Sequence, residues 1–184
     1  MKLALSSVFV AMLVLAGCAN PLNRVTSDNY ARDCSTAESR GQLKVAEEAC
    51  YRALVNVDIG NLGQELKSQR LYNLARIKRQ LAKFAEAEQL LKESLLIEEK
   101  QTPVSDQRIG RRLVELSVNL AGQNKWDEGT QYLQRVLPLA GQFSGFERAY
   151  IVEVLSQYAQ HFRTKKNSAL AEQYEAQAEK LRKS

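Results

Sequence analysis

Apolar positions along this chain recur at helical rather than strand spacing. Between Leu71 and Lys78 they fall at 71, 74, 75 and 77; between Phe84 and Leu95 the apolar and small positions are 84, 87, 90, 91, 94 and 95. Residues three and four apart share one helix face, so each run presents a stripe that must be buried. Gln80-Leu81-Ala82-Lys83 separates the two runs, which predicts a helical hairpin. Similar breaks punctuate the rest. Asp58 to Gly63 interrupts the chain, and Gln101-Thr102-Pro103 stops a helix because proline cannot continue one. Ser105 or Asp106 can cap the next. Gly122-Gln123-Asn124 and Lys165-Lys166-Asn167 supply turns, Gly141 and Gly145 bracket another connection, and Pro138 should end or bend the helix it follows.

The hairpin pattern is repeated. Leu71, Leu74, Ala75, Phe84, Ala87, Leu91 and Ser94 form its clearest copy. Gly41, Ala46, Cys50 and Ala53 give an earlier one, and Leu113, Leu116, Ser117, Trp126, Gly129, Leu133 and Val136 a later one. Tyr158, Ala159, Phe162, Ala171 and Ala178 close the series, with Glu175 where a large apolar residue is usual. The small residues Ala46, Ala87, Gly129 and Ala171 are spaced 41, 42 and 42 residues apart. This pattern resembles the tetratricopeptide repeat (TPR), whose usual period is 34 residues, so the extra residues should lengthen the helices or their connections. The resemblance runs from about Ser27 to Leu181 and implies an all-α fold, an α-α solenoid of about four helix pairs. Degenerate first and last copies suit terminal repeats that face water.

In such solenoids the first helix of each pair lines a concave groove. The resemblance therefore implies groove positions at Gln69, Tyr72, Asn73, Arg76 and Arg79 in the second pair. In the third they are Arg111, Val114, Glu115 and Val118, and in the fourth Ser156, Gln157, Gln160 and Arg163. The first pair offers Asp28, Ala31, Ser35 and Glu38. Tyr72, Asn73, Arg76, Arg79, Arg111, Val114, Gln160 and Arg163 are the expected partner-binding residues. Arginines fork carboxylates and tyrosine gives contact area at low entropic cost, which suits an extended acidic peptide or a carboxy-terminus, while the sequence leaves open whether the ligand is a helix or an extended peptide. The carboxylate-clamp pattern of chaperone-binding relatives is not reproduced.

Composition agrees with helix: good helix formers dominate, with three prolines and nine glycines in 184 residues. The first residues stand apart. Met1-Lys2 precedes an apolar run from Leu3 to Ala16, of signal-peptide length and shorter than a typical membrane span. The run ends in Leu15-Ala16-Gly17-Cys18, which resembles the lipobox of bacterial lipoproteins. That implies a signal peptide over 1–17, lipidation of Cys18, and a short tether over 18–26 before a repeat domain over 27–184. From Ala19 to Thr26 the chain reaches at most ~28 Å. Ala19 after the cysteine suggests the outer membrane, with the protein facing the periplasm. Cys34 and Cys50 then remain as a pair in an oxidising space, where a disulfide is the natural reading and two separate buried thiols the alternative. The repeat places them on facing helices of the first pair, close enough for a bridge.

Charge adds one more feature. The formal net charge is +5, with Arg70, Arg76, Lys78, Arg79, Arg108, Arg111 and Arg112 gathered mid-chain, which attracts acidic partners or anionic headgroups. Nucleic acid is not expected: the aromatics do not interleave with the basic run. No catalytic residue, metal site or cofactor is indicated. His161 is the single histidine, and no nucleophile is spaced to use it. Glu47-Glu48 and Glu98-Glu99 point apart on their helices and read as solvated faces. The expected function is a lipid-anchored scaffold that docks envelope proteins in a concave basic groove. The alternatives are a self-associating structural lipoprotein, through Ala171, Tyr174, Ala178 and Leu181, and more remotely a cell-wall-acting enzyme.

Overall fold

The structure is a computed structural model that describes residues 20–183. The expected signal peptide over 1–17 and the expected lipidation site Cys18 lie outside the described residues. Eight α-helices follow in order: α1 Pro21–Ser39, α2 Leu43–Ile59, α3 Gln64–Gln80, α4 Phe84–Glu99, α5 Asp106–Gly122, α6 Trp126–Val136, α7 Gly145–Thr164 and α8 Ser168–Lys183. A 3₁₀ segment, Leu137–Gln142, joins α6 to α7. Consecutive helices pair as four antiparallel hairpins, and the hairpins stack in chain order. Most helices run 16 to 20 residues, so longer helices absorb the extra residues of the repeat.

α1 begins earlier than the expected end of the tether at Thr26. Asn20 supplies the reason: its side chain accepts from the Leu22 N–H at 3.0 Å, and Pro21 occupies the first helical position, where a missing N–H costs nothing. The Asn20 N–H also donates to the Gly60 carbonyl at 3.2 Å, tying the start of α1 to the end of α2. The helix therefore starts three residues after Cys18, with its cap at Asn20.

The four hairpin turns are built alike. Gly41, Ala82, Asn124 and Lys166 each take a left-handed conformation, with φ of 70°, 58°, 61° and 60°. The residue after each donates to a carbonyl of the preceding helix: Gln42 to Ala37, Lys83 to Lys78, Lys125 to Leu120 and Asn167 to Phe162, all within 2.8–2.9 Å. These bonds satisfy carbonyls that the helix end leaves open. Ser105 caps α5 by accepting from Arg108 N–H, as its position suggested.

Small residues sit where the paired helices meet. Ala46, Ala87 and Ala171 are fully buried. At Gly129 an added Cβ would lie 1.9 Å from the Tyr158 hydroxyl. Cys34 and Cys50 form a disulfide with their Cα atoms 5.2 Å apart, joining α1 to α2.

The junctions between hairpins differ in chemistry. Ser27 on α1 donates to the Ala53 carbonyl at 2.8 Å and accepts from Arg70 Nε of α3 at 3.1 Å. One repeat later, buried Arg112 on α5 reaches Ser94 at 3.0 Å, Ser68 at 3.2 Å and Glu98 at 3.0 Å. Ser68 donates to Glu98 at 2.6 Å, and Arg108 Nε bonds its other oxygen at 2.8 Å. Glu98 is thus wholly buried, which corrects the expectation of a solvated Glu98-Glu99 face. Glu47 departs from it too, taking Lys78 and Lys83 at 2.7 Å each. Arg70 and Arg112 are likewise interior residues, and leave the surface less basic than the sequence implied. At the third junction the ring of Phe143 fills the space over Gly110, where an added Cβ would lie 2.3 Å from it.

Candidate functional site

A cleft of about 350 Å³ opens where the first helices of the second, third and fourth hairpins face one side. α3 contributes Tyr72, Arg76 and Arg79, and α5 contributes Arg111, Val114 and Glu115. Each triple follows from helix spacing, which puts residues three, four and seven apart on one face. Phe143 and Phe146 come from the connection and start of α7, followed by Glu147, Tyr150 and Ile151.

Its floor is apolar and its walls are charged. Val114, Phe143 and Ile151 are buried, while Phe146 stands 86% exposed at the rim. Two guanidinium groups lie over the Tyr72 ring, Arg112 4.7 Å and Arg76 5.9 Å from its centre. Burial, with Glu115 nearby, pushes the Tyr72 hydroxyl pKa up to about 12. Burial raises that of Tyr150 as well, again with a contribution from Glu115. Both phenols therefore stay neutral at physiological pH.

The arginines are already paired. Arg79 Nε donates to Glu115 at 2.9 Å, Arg76 reaches Glu38 at 2.8 Å, and Arg111 pairs with Glu147. Gln107 also donates to Glu147, at 2.8 Å. Three cations meet three carboxylates, so the groove is charge-balanced rather than basic. An incoming carboxylate would have to displace an internal one, and apolar contact becomes the main attraction the surface offers.

Five of the eight expected binding residues, Tyr72, Arg76, Arg79, Arg111 and Val114, line this cleft. Asn73 is half-buried on α3 and does not. Gln160 and Arg163 lie in a separate hollow between α7 and α8, with Ser156, Glu175, Glu179 and Arg182. There Arg163 forks Glu175, with contacts at 2.5 and 2.6 Å. The lining shifts toward the helix starts along the stack: Val118 and Ala121, the α5 counterparts of Arg76 and Arg79, already lie outside the cleft, as do Gln160 and Arg163 one repeat further on. α7 starts at Gly145, about a turn before a 42-residue repeat of the α5 start would place it. Phe143 from the connection, and Phe146 and Glu147 from that extra turn, line the cleft. Phe146, Glu147, Tyr150 and Ile151 were missed for these reasons; two phenylalanines beside a glycine-flanked connection were the available signal.

The face proposed for self-association is not free. Ala171, Tyr174, Ala178 and Leu181 are all buried within the molecule's own core against α7. His161 stacks on Trp126, ring centres 4.1 Å apart and nearly parallel, and Trp126 meets Tyr158 edge-on. Among the described residues no group of three or more His, Cys, Asp or Glu side chains could hold a metal ion. Among them, too, no helix is long and apolar enough to cross a membrane.

No protein-family model matches the sequence, and no curated protein is recognisably similar to it. Solved structures do match. BtubC (BKLC) from P. vanneervenii superposes with a TM-score of 0.75 at 19% identity, over 87% of this chain and 64% of that one. This chain therefore spans just under two thirds of that neighbour's length. The kinesin light chain TPR-like repeats of Podosopora anserina superpose at 0.65 with 15% identity, over 85% of this chain and 74% of theirs. A point variant of the latter gives 0.64 at 17% identity, over 86% of this chain and 77% of its own. At these identities the likeness establishes the fold: the chain is a TPR-like α-α solenoid.

Proposed function

We propose that this protein is a lipid-anchored docking scaffold on the periplasmic side of the bacterial outer membrane, working by binding rather than catalysis. The cleft carries the reading. It joins a preformed apolar floor to the exposed Phe146 ring and the Tyr72 ring, the combination that anchors partner side chains at protein interfaces. TPR-like solenoids commonly serve as protein-interaction scaffolds. The groove's partner is a peptide segment of an envelope protein, led by an aromatic or aliphatic side chain. Any acidic residue it carries would exchange with Glu147 on Arg111.

Leu15-Ala16-Gly17-Cys18 supports the anchor, and the Cys34–Cys50 bridge fits an oxidising compartment. Against catalysis, Glu98 and Glu115 are committed to internal arginines.

A photo-crosslinking residue at Phe146 tests the groove in living cells, with the same residue at exposed Glu172 on α8 as the control. One envelope protein should be captured from position 146, not from 172, and lost when Val114→Asp is added to the probe-bearing chain. Capture from both positions alike, or undiminished capture in the Val114→Asp background, would reject the groove as the site.

A further inference from the structure

The stacking of hairpins gives the solenoid two edges. One carries the start of α1 and the ends of α2 and α4, followed by the starts of α5 and α7. Its continuity is visible in side-chain bonds from hairpin to hairpin. Lys67 pairs with Asp58 at 3.2 Å, Arg108 with Glu65 at 2.6 Å, and Gln142 donates to Asp106 at 2.8 Å. The opposite edge carries the four hairpin turns around Gly41, Ala82, Asn124 and Lys166.

Exposed apolar side chains are distributed unequally between them. Leu22 and Ile59 are 74% and 73% exposed, Val104 55% and Phe146 86%, and all four stand at the first edge. Val25 and Leu96 lie about a turn inside it. Of the large apolar side chains exposed among the described residues, only Val45 and Tyr51 lie elsewhere. The charges on this edge are largely paired with one another, as above, which lowers the cost of bringing it against a surface.

The chain itself says which surface. Asn20 is bonded to Gly60 on this edge, and Cys18 precedes it by two residues, a reach of at most ~7 Å. Building on the lipid anchor proposed above, we infer that the whole edge from Leu22 to Phe146 lies on the bilayer. Leu22, Ile59 and Val104 sit in the headgroup boundary as a second attachment beside the acyl chains. Lipid-anchored proteins commonly need such a second contact when the lipid alone holds weakly; here its effect is orientation. The solenoid then lies along the membrane instead of standing off by its first hairpin, and the groove's Phe146 rim opens next to the bilayer.

Single cysteines at Ile59, Val104, Ser144 and Lys165 of the full lipidated chain test this. Each carries an environment-sensitive fluorophore; Cys34 and Cys50 are bridged and an acylated Cys18 does not label. The protein is reconstituted on phosphatidylethanolamine–phosphatidylglycerol vesicles containing a headgroup-nitroxide lipid, and the mass of the Cys18 peptide is read in parallel. Labels at 59, 104 and 144 should lose most of their fluorescence, while Lys165 on the far edge loses little. Successive hairpins lie on the order of 10 Å apart, so Ser144 is beyond what the tether alone brings to the surface. An acylated Cys18 with quenching confined to Ile59, or strongest at Lys165, overturns the edge-on placement and leaves the anchor standing. An unacylated Cys18 overturns both.

Discussion

Ser27 and Arg70 join the first hairpin to the second, and Ser68, Ser94, Glu98 and Arg112 join the second to the third. At the corresponding repeat positions before the fourth hairpin stand Gly110, Val136, Ala140 and Val154, with Phe143 packed among them. The two regions bury comparable positions with opposite chemistry. Hydrogen bonds have direction, so the polar junctions fix one register, and each member depends on all the others being present. The aromatic junction has no such constraint and depends on volume, its rings filling space that Gly110 and Gly129 leave open. The fourth hairpin also starts about a turn earlier than the repeat would place it, and Phe146 and Glu147 of that added turn line the groove.

The largest effect is expected where the polar junction is broken on one side. Glu98→Ala leaves Arg112 buried and short of its carboxylate, a loss of ~3–5 kcal/mol by the usual cost of stranding one partner of a buried pair. Urea unfolding would read it as a lower midpoint. Replacing both partners, Glu98→Leu with Arg112→Met, imitates the fourth junction and should recover much of that loss. A double variant no more stable than Glu98→Ala would show that the two kinds of junction are not interchangeable.

Overpacking the aromatic side comes next. Gly129→Ala sets a methyl group 1.9 Å from the Tyr158 hydroxyl and 3.1 Å from the Ser117 carbonyl, for a destabilisation of ~1–3 kcal/mol. Gly141→Ala meets nothing within 4 Å and should change the midpoint by less than about 0.5 kcal/mol. Equal effects from the two would mean that the fourth hairpin is packed loosely.

The smallest effect is a pH dependence. Burial, helped by Lys165, lowers the His161 pKa in the folded protein. The unfolded chain therefore takes up its proton first, and stability declines as pH falls below about 6.5 until the folded histidine titrates too. A modest drop in melting temperature across that window, absent in His161→Phe, is the expected result. An unchanged drop in the variant would place its origin outside the Trp126–His161 stack.

Helix, hairpin and period were legible because they are local. The stripe of Leu71, Leu74 and Leu91, the small residues 41 or 42 apart, and the capping serine at 105 all act through neighbours in the chain or through one repeat. Cys34 and Cys50 were legible for the same reason, being facing positions of one hairpin. The groove was half legible: Tyr72, Arg76, Arg79, Arg111 and Val114 keep the repeat's phase. Gln160 and Arg163 keep that phase too, 84 residues after Arg76 and Arg79, yet lie outside the cleft because its lining moves toward the helix starts from α3 to α5 to α7, as the stacking of hairpins dictates.

Sequence by itself determined the number of helices, their pairing and the small residues that let them approach, since periodicity and side-chain volume are properties of the chain. It also determined a cysteine two residues before the first helix cap. Tertiary structure alone decided which charges face water. Glu98 and Arg112 sit on different helices, α4 and α5, and nothing in either helix's own pattern shows that they bury together. The pairing of Arg76, Arg79 and Arg111 with Glu38, Glu115 and Glu147 was decided the same way, between helices, which is why an apparently basic groove is balanced. Charge is counted along a chain, but it is neutralised across space.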